Sequence, residues 1–300
     1  MSASNILQSI RQCVPVLSEN LYKGNCGRLG VVGGCREYTG APYFAAITIL
    51  KMGGDLSHVF CAEAAAPVIK SYSPELIVHP VLDSPDVDSE IKKWIPKLHS
   101  IVIGPGLGRE EKLLNTTSKV IEAIRTLEKP MVIDADGVYC ISDRLNLVKD
   151  NKNLILTPNA VEFNNLFQKV HGRKFEGDEG LDEAVKSTCL ALGGVTIVRK
   201  GAEDVISDGT HTLRCSEKGS TRRCGGQGDL LSGSMALFLA WISASKNNLP
   251  LPATVLAAFG GCVLTRQCSL AGFKRFGRSM TTTDMISCIH ECFEKTFEHK

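Results

Sequence analysis

Short apolar, β-rich runs at 29–32, 56–60, 75–78, 100–103, 131–133, 154–156 and 195–198 alternate with longer segments of helical periodicity at 41–52, 88–97, 110–127, 159–170 and 181–192. Parallel strands cannot be joined by a tight turn, so this alternation predicts a parallel sheet with crossover helices. Most of the runs are bounded by Gly, Pro or Asp and are apolar throughout, as strands buried on both faces require. The rhythm then changes. Runs at 204–207 and 210–214 flank Asp208-Gly209 and read as a β-hairpin with a tight turn. Two long apolar helices are expected near 228–244 and 251–269, and a last helix over 282–297. No linker, charge block or repeat divides the chain, although 172–180 is polar enough for a surface loop. The expectation is an α/β fold with a mostly parallel sheet, with 1–20 as an N-terminal extension and 21–300 as one domain. Ligands in such folds bind at the C-terminal ends of the strands.

Composition narrows the function classes. Three hundred residues, 43% apolar and 22% charged, suffice for a packed core and exclude a disordered chain. Thirty-four Lys and Arg against 32 Asp and Glu leave a net charge of +2, without the basic excess of a nucleic-acid or anionic-membrane binder. The longest apolar stretch, 230–244, is interrupted by Ser232, Gly233 and Ser234 and is too short to span a bilayer. The first 17 residues carry neither a basic start with an apolar run nor transit character, so a cytoplasmic protein is expected. The 12 cysteines are scattered from Cys13 to Cys292 without a C-x-x-C pair and read as reduced thiols. In their tightest cluster, Cys288 and Cys292 share a helical face while His290 points elsewhere, so no zinc site is expected.

The stretch Cys224-Gly225-Gly226-Gln227-Gly228-Asp229 opens directly onto an apolar helix. Glycines let backbone N–H groups approach an anion, and the helix start adds partial positive charge. Asp229 is the odd member, because a carboxylate beside an anion cradle is repelled unless it accepts a proton or shares a metal. A base for a hydroxyl fits it; so does an ordinary first-turn Asp favoured by the helix dipole.

Other strand ends are equally double-edged. Gly104-Pro105-Gly106-Leu107-Gly108 begins like a dinucleotide fingerprint, but Arg109 occupies the sixth position and Pro105 stiffens the turn, leaving a backbone surface for a ligand or a plain connection. No G-x-x-x-x-G-K-[ST] loop occurs. In Thr157-Pro158-Asn159-Ala160-Val161-Glu162, Asn159 and Glu162 form either a capping box or a pair organising magnesium-bound phosphate. Lys200-Gly201 offers an ammonium to a phosphate, or an exposed strand-end lysine. Asp134 and Asp136, beside Gly137, are expected to cap the next helix, with metal or ligand binding as the alternative. Gly30, Gly33, Gly34 and Gly40 surround a loop that serves as a lid or merely as a turn.

In their order, Gly30–Gly34 with Tyr38-Thr39-Gly40-Ala41-Pro42, Gly104-Pro105-Gly106-Leu107-Gly108, Asp134-Ala135-Asp136-Gly137, Thr157 to Phe163, Lys200-Gly201 and Arg222 to Asp229 resemble one family. It is the ribokinase-like superfamily and, within it, the ATP-dependent NAD(P)H-hydrate dehydratases of the carbohydrate-kinase-domain type. The resemblance runs from about residue 21 to beyond 284 and is most specific at G-G-x-G-D. It implies a three-layer α/β/α sandwich around a mostly parallel sheet. It also implies phosphorylation by ATP of the C6 hydroxyl of NADH hydrate and NADPH hydrate, the S epimer, followed by loss of phosphate.

Residue roles follow from the resemblance alone. Asp229 would be the base and contact the hydrate, with Gly225, Gly226 and Gly228 stabilising the transferring phosphoryl group. Gly106, Asn159, Ala160, Val161, Glu162, Phe163, Asn164 and Asn165 would hold the hydrate. Lys200, Gly201, Ala202, Glu203 and Asp204 would hold ATP, together with Gly219, Ser220, Thr221, Arg222, Arg223, Cys224, Gly225, Gly226, Gln227 and Gly228. Mg²⁺ accompanies the triphosphate, with Glu162 as its indirect organiser. The epimerase domain fused to some bacterial relatives is not found, so a separate NAD(P)H-hydrate epimerase is the expected partner; a homo-oligomer is compatible with the sequence. Two rival readings stay open. One is a kinase of a hydroxymethylpyrimidine or thiazole alcohol that releases the phosphate ester, and the other is a nucleotide-binding regulator without catalysis.

Overall fold

The computed structural model describes residues 1–177 and 179–298. Its strands are β1 (Arg28–Val32), β2 (Leu56–Cys61), β3 (Ile77–Pro80), β4 (Ser100–Ile103), β5 (Met131–Ile133), β6 (Leu154–Leu156), β7 (Thr196–Arg199), β8 (Asp204–Ser207) and β9 (Thr212–Cys215). The helices are α1 (Ala3–Arg11), α2 (Gly40–Lys51), α3 (Ala66–Tyr72), α4 (Val87–Trp94), α5 (Glu111–Thr126), α6 (Asp136–Ser142), α7 (Ala160–His171), α8 (Leu181–Ala191), α9 (Gln227–Ala244), α10 (Ala253–Phe276), α11 (Thr282–Ser287) and α12 (Ile289–Phe297).

The strands form a single sheet in the order β3-β2-β1-β4-β5-β6-β7-β8-β9. Pairings from β3 to β7 are parallel, and β8 and β9 add antiparallel at the end. Alternate residues serve opposite faces, as the two-residue period of a strand demands. Val31, Val59, Val102, Val132, Ile155 and Val198 join the core beneath α1, α2, α9, α10 and α12. Val32, Phe60, Ile103, Ile133, Leu156 and Ile197 join the core beneath α4, α5, α7 and α8. The result is the expected α/β/α sandwich. Chain direction across the sheet reverses between β1 and β4, which are neighbours although β2 and β3 intervene in sequence. In open α/β sheets such a switch point is a common place for ligands to bind.

Some boundaries depart from the sequence reading for identifiable reasons. Strand β3 starts two residues later than expected, because its pairing with β2 sets Ile77 opposite His58 while the Ser73 hydroxyl donates to Glu75 in the preceding turn. In the hairpin, Asp208 Oδ1 accepts the Thr210 and His211 amides at 2.8 and 2.6 Å, so the turn is longer and β9 begins at Thr212. The final helix is two, broken at Cys288, whose amide bonds to Met285 O three residues back. Two helices were not anticipated, α1 and the seven-residue α3, whereas the helix expected after Asp134 and Asp136 is α6. Helix α1 sets Ile6 and Ile10 into the core, four residues apart on one face. All 12 cysteines are free, and all but Cys224 are buried. One described helical segment, 253–279, is long and apolar enough to cross a membrane, and 78% of its apolar 18-residue window is buried inside the protein.

Helices α2 and α9 approach closely because Gly233 has no side chain; a Cβ there would stand 2.4 Å from Ala45 O. Backbone does not yield to such a contact, so Gly233→Ala is expected to destabilise the protein by about 1–3 kcal/mol. Chemical denaturation measures this, and an unchanged midpoint would show that the helices separate freely.

Candidate active site

Strands β5, β6 and β7 end side by side, and each hands one polar group to the same point. Asp134 follows β5, Thr157 follows β6 and Lys200 follows β7. Lys200 Nζ donates to Asp134 Oδ1 at 2.7 Å, and Thr157 Oγ1 donates to the same oxygen at 2.7 Å. Asp134 is only 2% exposed. Neither acid caps α6 as expected. The N-cap of α6 is Ala135, at φ 50° and without a side-chain bond. Asp134 turns inward to the lysine, while Asp136 Oδ2 accepts the Gly108 N–H at 3.0 Å and ties α6 to the loop after β4. Of the two readings of Lys200, the exposed strand-end lysine gives way to a partly buried ion pair.

Helix α9 begins directly over this pair. Its N-cap, Gly226, has φ +95°, and a Cβ there would strike the Phe44 ring and the Thr282 hydroxyl. Thr282 Oγ1 donates to Gly225 O at 2.6 Å and fixes the glycine turn from the α11 side. The helical bond from Leu230 N to Gly226 O leaves the preceding amides of the first turn without an intrahelical acceptor. Gly228 rests on the ion pair: a Cβ would stand 3.4 Å from Asp134 Oδ2 and 3.7 Å from Lys200 Nζ. Here an uncapped helix start, a cation and a backbone without side chains converge, which is the chemistry of an anion site.

Asp229 lies in that first turn, 8% exposed. Burial pushes its carboxyl up to about 8; the neighbouring Asp134 charge adds to the rise and Lys200 opposes it. Burial also raises Glu162, against the pull of Lys200 and the Asn159 amide. Burial works against the Lys200 charge, but Asp134, Glu162 and Asp229 outweigh it and its pKa rises. A carboxyl poised near 8 is suited to accept a proton from a hydroxyl close to neutral pH.

Beside this cluster, on the β7–β9 side, lies a cavity of about 880 Å³. Of the residues assigned to ATP, Lys200, Gly201, Ala202, Asp204, Gly219, Ser220, Thr221, Arg223, Cys224, Gln227 and Gly228 line it. Glu203 instead pairs with Arg214, and Arg222 bonds its neighbour's carbonyl. Gly225 and Gly226 sit behind the cavity in the helix cap. Asp204 faces the cavity but is committed to the Gly201 amide and to Arg266.

The residues assigned to the hydrate are dispersed along the edge. Asn159 reaches the cavity, and its Oδ1 caps α7 at the Val161 and Glu162 amides while Glu162 Oε2 accepts the Asn159 N–H, so the capping box is real. Ala160, Val161, Asn164 and Asn165 are exposed on α7. Phe163 is not: it is fully buried against Phe167 and Phe175, so its side chain serves the core and not a ligand. Gly106, at φ +60°, presses on Tyr38 O, where a Cβ would come within 2.5 Å. The Gly34 amide bonds to Gly106 O at 3.1 Å, so the first glycine loop is sewn to the second.

The sequence reading missed the floor of the cavity: Ser216, Glu217, Lys218, Leu231, Cys262, Thr265, Arg266 and Ser269. The last four are spaced three and four apart, one helical face, and three polar residues inside an apolar helix were the available signal. Arg266 is the staple. Its guanidinium reaches Asp204 Oδ2 at 2.8 Å and the carbonyls of Ala202, Gly201 and Glu217 at 2.8, 2.9 and 3.3 Å.

The sequence pattern described as NAD(P)H-hydrate dehydratase matches residues 29–291. The chain belongs to this family. ATP-dependent (S)-NAD(P)H-hydrate dehydratases of Bos taurus and Homo sapiens are 52% and 51% identical to it over 297 residues, 98% of this chain and 90% and 85% of theirs. An ADP/ATP-dependent NAD(P)H-hydrate dehydratase of Bacillus subtilis, co-crystallised with ATP and Mg²⁺, superimposes with a TM-score of 0.71 at 19% identity, covering 97% of each chain. A hydroxyethylthiazole kinase of Pyrococcus horikoshii gives 0.62 at 16% identity over 98% of this chain and 93% of its own. At such identities these two likenesses carry the fold, which this NAD(P)H-hydrate dehydratase family member shares.

The raised Asp229 carboxyl has a thermodynamic signature. With a folded value near 8 against an ordinary 3.8, its proton stabilises the fold fully below pH 4, and that contribution is lost as pH rises through 8. Asp229→Asn lacks this loss, so its melting temperature relative to the parent protein is expected to climb between pH 4 and 8 and then level off. A difference independent of pH would remove the buried, proton-holding Asp229.

Proposed function

We propose that this protein is an ATP-dependent dehydratase of the S epimer of NADH hydrate and NADPH hydrate, returning NADH or NADPH with release of ADP and phosphate. The observation that carries the reading is Asp229, a buried carboxyl in the first turn of an uncapped, glycine-rich helix start, beside Lys200 and a nucleotide-sized cavity. The identity of about half of all residues to ATP-dependent (S)-NAD(P)H-hydrate dehydratases supports the substrate.

Asp229 takes the proton of the C6 hydroxyl as its oxygen attacks the γ-phosphorus of ATP, and the bond to the β-phosphate oxygen breaks to give ADP. The amides of the α9 start and the Lys200 ammonium face the charge on the moving phosphoryl group. Hydroxide leaves poorly and a phosphate ester leaves well. Departure of phosphate from C6, with electrons from the ring nitrogen and loss of a proton from the adjacent carbon, restores the ring double bond. No redox group is needed.

Mg²⁺ fits as a companion of the triphosphate more than as a resident of a protein cage. Among the described residues no three or more His, Cys, Asp or Glu side chains cluster to hold a metal. Magnesium commonly takes one or two carboxylates and completes its shell with phosphate and water. Glu162 uses Oε2 for the Asn159 amide, and Oε1 is the acceptor we assign to an ion-bound water. The ion, when bound, neutralises phosphate charge. One fixed base facing one fixed cradle accepts a hydroxyl of one hand, so we assign the other epimer to a separate epimerase. Twelve free thiols suit a reducing compartment such as the cytoplasm.

The deciding assay follows 340 nm absorbance after protein, Mg²⁺ and ATP meet the S epimer of NADH hydrate, with ATP omitted as control. Recovery of the reduced-nicotinamide band in step with ADP and phosphate is expected; a stable phosphoester without recovery would make the protein an alcohol kinase. Asp229→Asn is expected to lower turnover by roughly 10²–10⁴-fold with ATP affinity retained. Equal losses in both would deprive Asp229 of its role as base. For the parent protein, kcat/KM is expected to rise with pH toward about 8, as Asp229 sheds its proton.

A further inference from the structure

In-line phosphoryl transfer puts the attacking oxygen and the leaving ADP on opposite sides of the phosphoryl group. The nucleotide cavity lies on the β7–β9 side of Asp229, so the second substrate enters from the other side. There the C-terminal edge runs over the ends of β6, β5 and β4 to β1, and finishes at the switch point between β4 and β1. From β6 to β4 is two strand spacings, roughly 10 Å, a scale that the ribose and pyrophosphate of a dinucleotide span.

A dinucleotide brings two phosphate charges, or more where the ribose carries a third phosphate, and needs a cation along this path. Lys200, paired with Asp134, is already assigned to the moving phosphoryl group. Arg109, directly after the β4 loop, is the cation that the fold holds in place. Its Nε donates to Asp136 Oδ1 at 3.2 Å, and its guanidinium lies over the Tyr139 ring at 4.4 Å. Asp136 also grips the Gly108 amide, so the loop, the acid and the arginine form one unit. Yet the Arg109 side chain remains 65% exposed, and Tyr139 and Tyr38 are 46% and 58% exposed. An arginine held by an acid and a ring, with free donors facing solvent at a switch point, is built to meet an anion. The stack matters because an arginine held in advance loses less rotamer freedom when it binds.

We propose that Arg109, held between Asp136 and Tyr139, is the contact for the phosphates of the dinucleotide substrate. The inference rests on the dehydratase reading, which supplies the dinucleotide. Arg109→Gln is expected to raise the KM for NADH hydrate and NADPH hydrate about tenfold with kcat and the KM for ATP unchanged, because a charge-assisted phosphate contact is lost. Tyr139→Leu keeps the charge but loosens it and is expected to give a smaller rise of the same kind. A larger rise for NADPH hydrate assigns Arg109 to the 2′-phosphate, and equal rises assign it to the pyrophosphate. Unchanged hydrate KM in Arg109→Gln, or a parallel rise in the KM for ATP, overturns the proposal. Calorimetric binding of NADPH itself to the parent protein and to Arg109→Gln separates the two readings. Weaker binding by the variant sustains the contact even if the parent protein turns over neither hydrate, in which case the dehydratase reading alone falls. Equal NADPH binding by both proteins overturns the contact.

Discussion

The ion pair between Lys200 and Asp134 organises the C-terminal edge of the sheet. It ties the ends of β5 and β7 across β6, with Thr157 of the middle strand closing the triangle on the same carboxylate oxygen. A buried pair costs much of its attraction in desolvation and adds little net stability. Its position therefore reads as functional. Because Asp134 occupies the ammonium, Lys200 does not fully neutralise Asp229, whose carboxyl keeps its proton up to about pH 8. The pair lies directly beneath the helix start, where a Cβ on Gly228 would be in ordinary van der Waals contact with both partners.

A second device shapes the cavity beside Asp229. Its wall is largely loop, the segment between β9 and α9, and loops do not hold a shape unaided. Arg266 supplies the missing rigidity by spending its donors on Asp204 and three backbone carbonyls from two different loops. Ser269 adds a hydroxyl contact to Ser220 at 2.7 Å. The polar residues of an otherwise apolar helix thus act on the loops above them. The same division of labour appears on the opposite side, where Asp136 fastens the loop after β4 and presents Arg109.

Much of this was legible in the chain. Ser100–Ile103, Met131–Ile133 and Leu154–Leu156 lie where their apolar runs put them, because a strand buried on both faces has few other compositions available. The glycine cluster before α9 marked a helix start without a side-chain cap, and the capping box at Asn159 and Glu162 formed from local spacing alone. Less legible were short helices such as α3, whose seven residues carry too little periodicity, and the break at Cys288, which packing imposes on a continuous helical pattern. Phe163 sat inside a polar stretch in sequence but turns into the core, because its place on α7 faces Phe167 and Phe175.

By itself, the amino-acid sequence determined the alternation of strand and helix, hence a mostly parallel sheet, and the identity of the glycines and the acid that open α9. Local rules suffice for these, since periodicity, turn residues and helix starts are set within a few positions. Only the tertiary structure decided that Asp134 meets Lys200 across 66 positions, that Arg266 braces loops more than 40 residues upstream, and that Arg109 is held by Asp136 and Tyr139. Strand order brings those groups together. The same side chain at a strand end caps a helix, faces water or buries an ion pair according to which strand lies next to it.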